Sequence, residues 1–232
     1  MTTRFNKLHN RHQGERAVIV ANGPSLNKMT LDFLRKENVI GLNKIFLGIE
    51  KFGFYPRYLV AMNEKVIEQS VTDLKALNCV KFLSHHGADG FIDEDALTYH
   101  FNTKNPKQRF YKDISKGLHE GWTVTYAALQ IAFYLGFKEI VIIGLDHRFE
   151  YDGKKNELKV LDGADPNHFC ENYFGFGQEW HHPDLTKSEE SFSIARKMYE
   201  DNGRKILDAT VNGECNVFDK VDYREYFLVD KQ

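Results

Sequence analysis

Cysteine is scarce and scattered in this chain of 232 residues. The three cysteines are Cys79, Cys170 and Cys215, and they include no Cys-x-x-Cys pair, so the sequence predicts neither a disulfide framework nor a thiolate zinc site. A run of about 18 apolar residues, which a membrane-spanning helix needs, is also missing. We therefore expect a cytoplasmic protein that makes at most peripheral contact with the inner face of a membrane.

An excess of charge of one sign is also missing. The chain has 31 Lys and Arg residues against 33 Asp and Glu residues, and this near balance predicts no nucleic-acid partner. Residues 1–16 form a polar N-terminal arm without the apolar core of a signal peptide. The length and the hydrophobic fraction of 42% predict one α/β domain over residues 17–232. The sequence leaves open whether the protein forms a homo-oligomer.

The two common nucleotide-binding motifs, Gly-x-Gly-x-x-Gly and Gly-x-x-x-x-Gly-Lys, do not occur. The chain has instead an apolar run from Ala17 that continues into the turn Asn22-Gly-Pro-Ser25. Such a run predicts a strand buried on both faces, as in parallel sheets. We expect Gly23 to adopt a backbone conformation closed to other residues and Ser25 to cap the next element, so that backbone N–H groups hold a phosphate. An ordinary strand-to-helix turn is the alternative.

Three successive predicted strands end in asparagine. Asn22 follows the first strand, Asn43 follows residues 39–42 and Asn63 follows residues 57–62. Because ligands of open parallel sheets bind beyond the carboxyl ends of the strands, the three amides are expected to meet at one ligand. An amide suits a base edge, a ribose or a phosphate oxygen, although asparagine is also a common turn residue.

The rest of the chain alternates helical and strand patterns. Thr123 or Thr125 is expected to cap the most apolar helix, which would give a second anion site at its N-terminus. The alternation predicts a Rossmann-like, mostly parallel α/β sheet with helices on both faces. The weakly periodic segment of about 149–187 is expected to form a lid. Helices are predicted at 30–37, 45–52, 64–77, 126–135 and 188–202, and further strands at 79–84, 139–144 and 205–209.

The adjacent pair His85-His86 is a weak candidate for a metal site. Neighbouring residues of an extended segment point to opposite faces, so they do not share a ligand easily. The following stretch, 91–117, has no clear period and predicts an edge strand, a lid or a small insertion.

Four motifs together carry a resemblance to a known group of proteins. They are Val18-Ile-Val-Ala-Asn-Gly-Pro-Ser-Leu26, Gly121-Trp-Thr-Val-Thr125, Leu135-Gly-Phe-Lys-Glu-Ile-Val-Ile-Ile-Gly-Leu-Asp-His147 and Lys205-Ile-Leu-Asp-Ala-Thr-Val-Asn-Gly213. In order and spacing the chain resembles bacterial sialyltransferase-like proteins of lipooligosaccharide synthesis. The wider group includes motility-associated flagellin glycosylation factors and archaeal hydroxymethyldihydropterin diphosphokinase-like proteins.

The resemblance implies a metal-independent glycosyltransferase with a CMP-activated donor. Members of the group use a lid histidine as catalytic base, which implies His182, with His181 and His168 as the other candidates. Lid tyrosines that meet the leaving phosphate in the group are replaced here by His147 and Arg148, and Arg148 suits a phosphate. The implied nucleotide- and substrate-binding residues are Asn22, Gly23, Ser25, Asn43, Asn63, Thr123, Thr125, Asp146 and Tyr173.

The resemblance therefore implies transfer of a sugar, a nonulosonate, from a CMP-activated donor to a glycan acceptor in the synthesis of a surface polysaccharide or glycoconjugate. One alternative is a diphosphokinase acting on a pterin-like alcohol, which would need Mg²⁺ held by Asp146, Asp162 and Asp165. A second alternative is a non-catalytic protein that binds a nucleotide or a glycan. The aromatic residues of the lid suit sugar stacking and loop packing equally well.

Overall fold

Short apolar runs bounded by turn residues form the strands of this protein. The computed structural model describes residues 2–103, 109–149, 158–160, 165–174, 179–181 and 183–229. Its strands are β1 (Arg16–Val20), β2 (Asn38–Leu42), β3 (Tyr58–Ala61), β4 (Val80–Ser84), β5 (Thr98–Phe101), β6 (Glu139–Ile143), β7 (Leu158–Val160), β8 (Glu179–His181), β9 (Lys205–Asp208) and β10 (Asp219–Lys220).

Eight of these strands form one parallel sheet in the order β10-β9-β6-β1-β2-β3-β4-β5. The chain runs outward from β1 to β5 and then returns to β6, which pairs with the other side of β1. A reversal of this kind is the topological switch point of an open α/β sheet, and ligands bind at the carboxyl ends of the strands there. β7 and β8 form a separate antiparallel pair.

The central strand β1 is buried on both faces because its apolar side chains alternate between two cores. Ala17 and Ile19 belong to one core, and Val18 and Val20 belong to the other. This arrangement confirms the strand predicted before Asn22. It also explains why the run lacks the polar alternation of a half-exposed strand.

Helices cover both faces of the sheet, so the predicted Rossmann-like α/β fold is confirmed. The α-helices are α1 (Thr2–Asn6), α2 (Ile49–Phe52), α3 (Glu64–Glu68), α4 (Val71–Ala76), α5 (His85–Ala88), α6 (Val124–Leu135), α7 (Leu185–Glu200) and α8 (Tyr223–Phe227). α1, α6 and α7 pack on the face of Ile19, and α3, α4, α5 and α8 pack on the face of Val18. Among the described residues, four 3₁₀ helices complete the connections, at Pro24–Lys28, Asp32–Lys36, Ile45–Gly48 and Ile114–Lys116.

Two predicted helices differ from the structure. The helix expected at 30–37 is the short 3₁₀ helix Asp32–Lys36, and Leu31, which has no capping side chain, stands at its N-cap instead of Thr30. The helix expected at 64–77 is divided into α3 and α4 by a turn at Gln69 and Ser70. Short segments do not recover the cost of nucleating a helix, so tertiary contacts decide their form.

The pair His85-His86 begins α5 and is not extended as expected. The first strand after it is β5, which pairs in parallel with β4 at the edge of the sheet. This edge strand is one of the three forms expected for the stretch 91–117. Within the described ranges, no group of three or more His, Cys, Asp or Glu side chains is arranged to hold a metal ion.

The N-terminal segment packs against the domain. Phe5 and Leu8 lie in the core beside α6, and the buried ring of His12 stacks on Phe137 at 4.5 Å between ring centroids. The Nε2 atom of His12 lies 2.7 Å from the hydroxyl of Tyr58 in β3. These contacts attach the described part of the polar N-terminal segment, residues 2–15, to the sheet. In the described parts of the chain, no helix has the length and apolarity to cross a bilayer.

Candidate functional site

A cleft of about 270 Å³ opens at the carboxyl ends of β1, β2, β3 and β6. This is the position that the strand order defines, because β1 and β6 are the two strands between which the chain reverses direction. The cleft is close in size to the smaller ligand pockets of proteins, which start at roughly 300 Å³.

The structure brings most of the predicted site residues together in this cleft. Ser25 does not line it, because its side chain is buried behind the first turn. His182 and Asp162 lie outside the described residues. His181 is in β8, where the structure describes the backbone only. The predicted residues that line the cleft are Asn22, Gly23, Asn43, Asn63, Thr123, Thr125, Asp146, Arg148, His168 and Tyr173.

The turn after β1 is held by a carboxylate from the other side of the switch point. Asp146 accepts a hydrogen bond from the Ser25 hydroxyl at 2.6 Å and another from the Ser25 backbone N–H at 3.1 Å. Burial raises the pKa of the Asp146 carboxyl, and the hydrogen bonds from Ser25 oppose that rise. Asp146 and Ser25 therefore join the two halves of the cleft to each other.

Gly23 was expected to adopt a backbone conformation that is closed to other residues, and this expectation is wrong. Its φ of −69° and ψ of 156° are open to any residue, and it stands at the N-cap of the 3₁₀ helix that contains Ser25. A Cβ atom at this position would overlap the Asp146 carboxylate and lie 2.7 Å from the Gly144 carbonyl oxygen. Glycine is required here because the backbone and a carboxylate approach closely. Ser25 lies inside the 3₁₀ helix, so it does not cap it.

Two of the three asparagines have buried side-chain oxygens without a partner. The Oδ1 atoms of Asn22 and Asn43 accept no hydrogen bond from the described residues, and Asn22 is only 8% exposed. An unpartnered buried acceptor is costly, and at a cleft it indicates a ligand that donates a hydrogen bond. Asn63 differs, because its Oδ1 accepts from the Val66 N–H and caps α3.

The N-terminus of the buried helix α6 lies at the same cleft. The Thr123 hydroxyl oxygen accepts from the Thr125 N–H at 3.3 Å, which identifies Thr123 as the cap. Thr123, Val124 and Thr125 line the cleft. With 12 residues in line, α6 directs the positive end of its dipole into the cleft, where it favours a negatively charged group.

His168 is held by a buried carboxylate. Its Nδ1 atom lies 2.7 Å from Oδ2 of Asp165, which is 4% exposed. Its ring stacks on Tyr173 with 3.8 Å between centroids and an interplanar angle of 1°. The bond to Asp165 leaves Nε2 to accept a proton. An imidazole that is oriented by a carboxylate in this way is the arrangement of a general base.

The loop that carries His168 is tied to the first turn and to β2. The Phe169 N–H donates to the Asn22 carbonyl oxygen at 2.9 Å, and the buried ammonium of Lys44 donates to the Tyr173 carbonyl oxygen at 3.0 Å. Burial lowers the pKa of Lys44 and raises that of the Tyr173 hydroxyl. These bonds place part of the predicted lid, residues 165–174, against the ends of the strands.

A second histidine that is paired with a carboxylate, His147, lines the cleft, and sequence reasoning did not select it as a base. The Nε2 atom of His147 lies 3.0 Å from Oε1 of Glu189 in α7. Next to it, Arg148 donates to Glu214 at 3.2 Å near the surface. In the sequence, His147 stands out only because it occupies a position where the resembling proteins have lid tyrosines. Its pairing with Glu189 could not be predicted, because the two residues are 42 positions apart in the chain.

Several residues that line the cleft have a strained backbone conformation. Five non-glycine residues among those described have a positive φ, and three of them, Asn43, Trp122 and His147, line the cleft. Strain of this kind costs of order 1–3 kcal/mol per residue and clusters at functional sites. Trp122 was not selected from the sequence, and only the coordinates reveal its conformation.

The carboxylates expected to hold Mg²⁺ under the diphosphokinase alternative are already bonded. Both oxygens of Asp146 accept from Ser25, and the two oxygens of Asp165 accept from the Asn167 N–H and lie against His168. Neither Asp146 nor Asp165 is therefore a free carboxylate, and no group of three or more potential metal ligands occurs among the described residues.

The fold and the cleft define a Rossmann-like α/β protein with a ligand site at the switch point of its sheet. The chain belongs to the family described as 6-hydroxymethylpterin diphosphokinase MptE-like, whose model matches residues 1–152. This membership confirms the superfamily to which the motifs pointed.

Among solved structures, the chain is similar to the MAf glycosyltransferase from Magnetospirillum magneticum AMB-1. The TM-score is 0.59 at 12% identity, with 95% of this chain and 37% of that chain covered, so the likeness shows a shared fold. The chain thus spans little more than a third of the length of that glycosyltransferase. No curated protein matches the sequence. The family description and the neighbour both name transferases.

Proposed function

We propose that this protein is a transferase that binds a nucleotide-activated sugar in the cleft and transfers the sugar to a hydroxyl group of a glycan. The observation that carries the proposal is the cleft itself. In it, an anion-binding helix end, two unpartnered buried amide oxygens and a carboxylate-oriented histidine meet at the switch point. Each of these features suits one part of such a donor or its acceptor.

The N-terminus of α6 supports the phosphate part of the donor. Its dipole and the capped turn at Thr123 favour a negative charge that grows when the nucleotide leaves. Arg148 lines the cleft near the surface, and its exposed ion pair with Glu214 is of a kind that contributes little free energy. Arg148 can therefore exchange Glu214 for a phosphate, which its planar guanidinium suits.

The amide oxygens of Asn22 and Asn43 support the nucleoside or sugar part. Both need hydrogen-bond donors, which phosphate oxygens do not supply and which hydroxyl or exocyclic amino groups do. A cytosine amino group and sugar hydroxyls meet this need. This chemistry is compatible with the CMP-activated nonulosonate that the motif resemblance implies.

His168 is the base that we propose for the reaction. Its Nε2 takes the proton of the acceptor hydroxyl, whose oxygen bonds to the anomeric carbon as the bond from that carbon to the phosphate oxygen breaks. The nucleotide leaves with the bonding electron pair, and Asp165 stabilises the imidazolium that forms. His182, the base implied by the resemblance, lies outside the described residues and stays the rival candidate.

Diphosphate transfer to a pterin alcohol is the second candidate, and the family membership favours it. It uses the same anion-binding cleft but needs an ATP donor. A non-catalytic binding role is the third possibility, and an experiment must distinguish it from the two transferase reactions.

The three cysteines are unpaired, which is compatible with the proposed cytoplasmic location.

The deciding experiment offers the purified protein a panel of CMP, CDP, UDP, GDP and ATP, with Mg²⁺ or with a chelator, in a thermal-shift assay. Only a ligand that binds the folded state raises the melting temperature. The CMP-sugar is then assayed for CMP release with a saccharide acceptor. Turnover of the CMP-sugar in chelator supports our proposal, and turnover of ATP with 6-hydroxymethylpterin that requires Mg²⁺ supports the second candidate. Saturable binding with no turnover of either donor would leave the non-catalytic role.

A further inference from the structure

Trp122 is the most unusual residue at the edge of the cleft. Its side chain is 51% exposed although indole is the largest apolar side chain, and its φ of +64° lies in the left-handed region. Gly121 before it has a φ of +60°, and the helix α6 begins at Val124, two residues after Trp122. Both the exposure and the backbone conformation disfavour the folded state.

The position of Trp122 separates it from other exposed apolar residues. Among the described residues, the other large exposed apolar side chains do not line the cleft; they are Leu47, Tyr55, Phe91, Leu228 and Val229. An exposed aromatic ring at a cleft, held by a strained backbone, indicates a ligand that covers it.

The cleft has a buried floor and an exposed rim. Asn22 and Thr125 on the floor are 8% and 3% exposed, whereas Trp122 at the rim is 51% exposed. The reacting anomeric carbon of an activated donor must be shielded from water, so it belongs on the floor, while the leaving phosphate extends toward Arg148. A glycan acceptor arrives from solvent as a longer molecule, so it lies across the rim.

We propose that Trp122 is the stacking platform for a pyranose ring of the glycan acceptor. This inference rests on the proposed function and deepens it, because it names the acceptor subsite of the same cleft. The face of an indole ring carries partial negative charge, which attracts the polarised C–H groups on the apolar face of a pyranose. Stacking leaves the hydroxyl groups at the edge of the sugar accessible to the cleft, where His168 lies.

A fluorescence titration tests the contact without requiring turnover. The chain has two tryptophans, so Trp180→Phe leaves Trp122 as the single indole fluorophore. We expect lactose, chitobiose or methyl β-galactoside to change its emission saturably, and CMP alone to leave that emission unchanged. A response to CMP but to none of these saccharides would overturn the proposal, as would no response to either class.

Steady-state kinetics test the same residue in the working enzyme. We expect Trp122→Ala to raise the acceptor KM roughly fivefold without raising the donor KM, and Trp122→Phe to recover most of the loss, since an aromatic contact is worth about 1 kcal/mol. Phe91→Ala removes an exposed aromatic ring away from the cleft and is the matched control, with both KM values unchanged. An unaltered acceptor KM in Trp122→Ala would refute the platform.

Stability separates a binding role from a packing role. A packing role predicts a lower melting temperature for Trp122→Gly, whereas relief of the left-handed backbone predicts an equal or higher one. A lower melting temperature together with normal saccharide binding overturns the proposal. If saccharides perturb Trp122 but the wild-type protein transfers no sugar, the subsite stands and the proposed transferase activity fails.

Discussion

At Gly23 a single missing side chain allows a carboxylate to approach the backbone. Asp146 occupies the space that a Cβ atom would need, and it uses that position to accept two hydrogen bonds from Ser25. The turn after β1 and the segment after β6 are thereby held together directly at the cleft. The geometry of the cleft consequently depends on a residue without any functional group.

We predict that Gly23→Ala destabilises the protein by about 1–3 kcal/mol, the usual cost of an overpacked site. Its φ and ψ are acceptable for alanine, so the cost arises from displacement of Asp146, and nucleotide binding should weaken with it. Chemical denaturation and calorimetric titration with CMP measure the two effects. Gly90→Ala is the control, because that residue has a positive φ but open space around it. It should lose stability and keep its affinity for CMP.

His168 and Asp165 form the second residue-scale unit. We predict that Asp165→Asn lowers kcat by about 100-fold or more, because an amide neither orients the same tautomer nor stabilises an imidazolium. The affinity for CMP should not change. Transfer rates under saturating donor and acceptor, beside a binding titration, provide the measurement.

Glu189→Gln is the matched control, since it makes the same exchange beside His147. A larger loss in Glu189→Gln than in Asp165→Asn would assign the base to His147. Loss of transfer in His182→Ala with normal turnover in His168→Ala would assign it to His182.

At the scale of elements, α6 joins core packing to ligand binding. Eleven of its 12 residues are buried, so the helix is held rigidly under the cleft, and Gly136 ends it with a φ of +96°. Its N-terminus is thus placed by the hydrophobic core and not by the loops around it. This rigidity suits the binding of a phosphate, because little of the site has to be ordered on binding.

We predict that Thr123→Ala lowers the free energy of unfolding by about 1 kcal/mol and also weakens CMP binding, because the cap of α6 lies in the cleft. Asp222→Ala removes the cap of α8, where Asp222 accepts from two backbone N–H groups outside the cleft. It should lower stability by a similar amount and leave CMP binding unchanged. Equal binding losses in the two variants would show that the effect comes from general destabilisation.

At the scale of the whole molecule, buried histidines couple stability to pH. Burial lowers the pKa values of His12 and His100 below the usual value of a histidine. His12 connects the N-terminal segment to β3 through Tyr58, and His100 lies in the edge strand β5. Each of these two imidazoles therefore binds a proton less readily in the folded state than in the unfolded chain.

We predict that stability falls as the pH decreases below about 6.5, the pKa of a histidine in an unfolded chain. The unfolded state then binds protons that the folded state does not, so the free energy of unfolding decreases with at most about 1.4 kcal/mol per pH unit for each histidine. The decline continues until the pH passes the lowered folded pKa. Urea denaturation between pH 7.5 and pH 5 measures the slope. His12→Phe, which keeps the stacking on Phe137, should reduce it, and an unchanged slope would contradict this origin.

Local pattern was enough to predict the core strands, the buried helix α6 and the Rossmann-like class. An apolar run that is bounded by asparagine or glycine indicates a buried strand or helix, and this pattern can be recognised within a short stretch of sequence. The coincidence of Asn22, Asn43 and Asn63 at strand ends was sufficient to predict one cleft, because parallel strands share an edge. Short helices were less predictable, as the division between α3 and α4 shows, since contacts override weak propensities.

The chemistry of the cleft was decided by tertiary structure. Ser25 and Asp146 are 121 residues apart in the chain, and His147 and Glu189 are 42 apart, so no local period relates them. Only the three-dimensional structure explains why glycine is required at position 23, where Asp146 approaches the backbone. It also reveals the strained backbone of Trp122 and the pairing of His168 with Asp165. The sequence by itself determined which segments are buried and where the strands end. Folding decided which distant polar groups meet there, because hydrogen bonds and close contacts depend on positions in space, whereas burial patterns depend on positions in the chain.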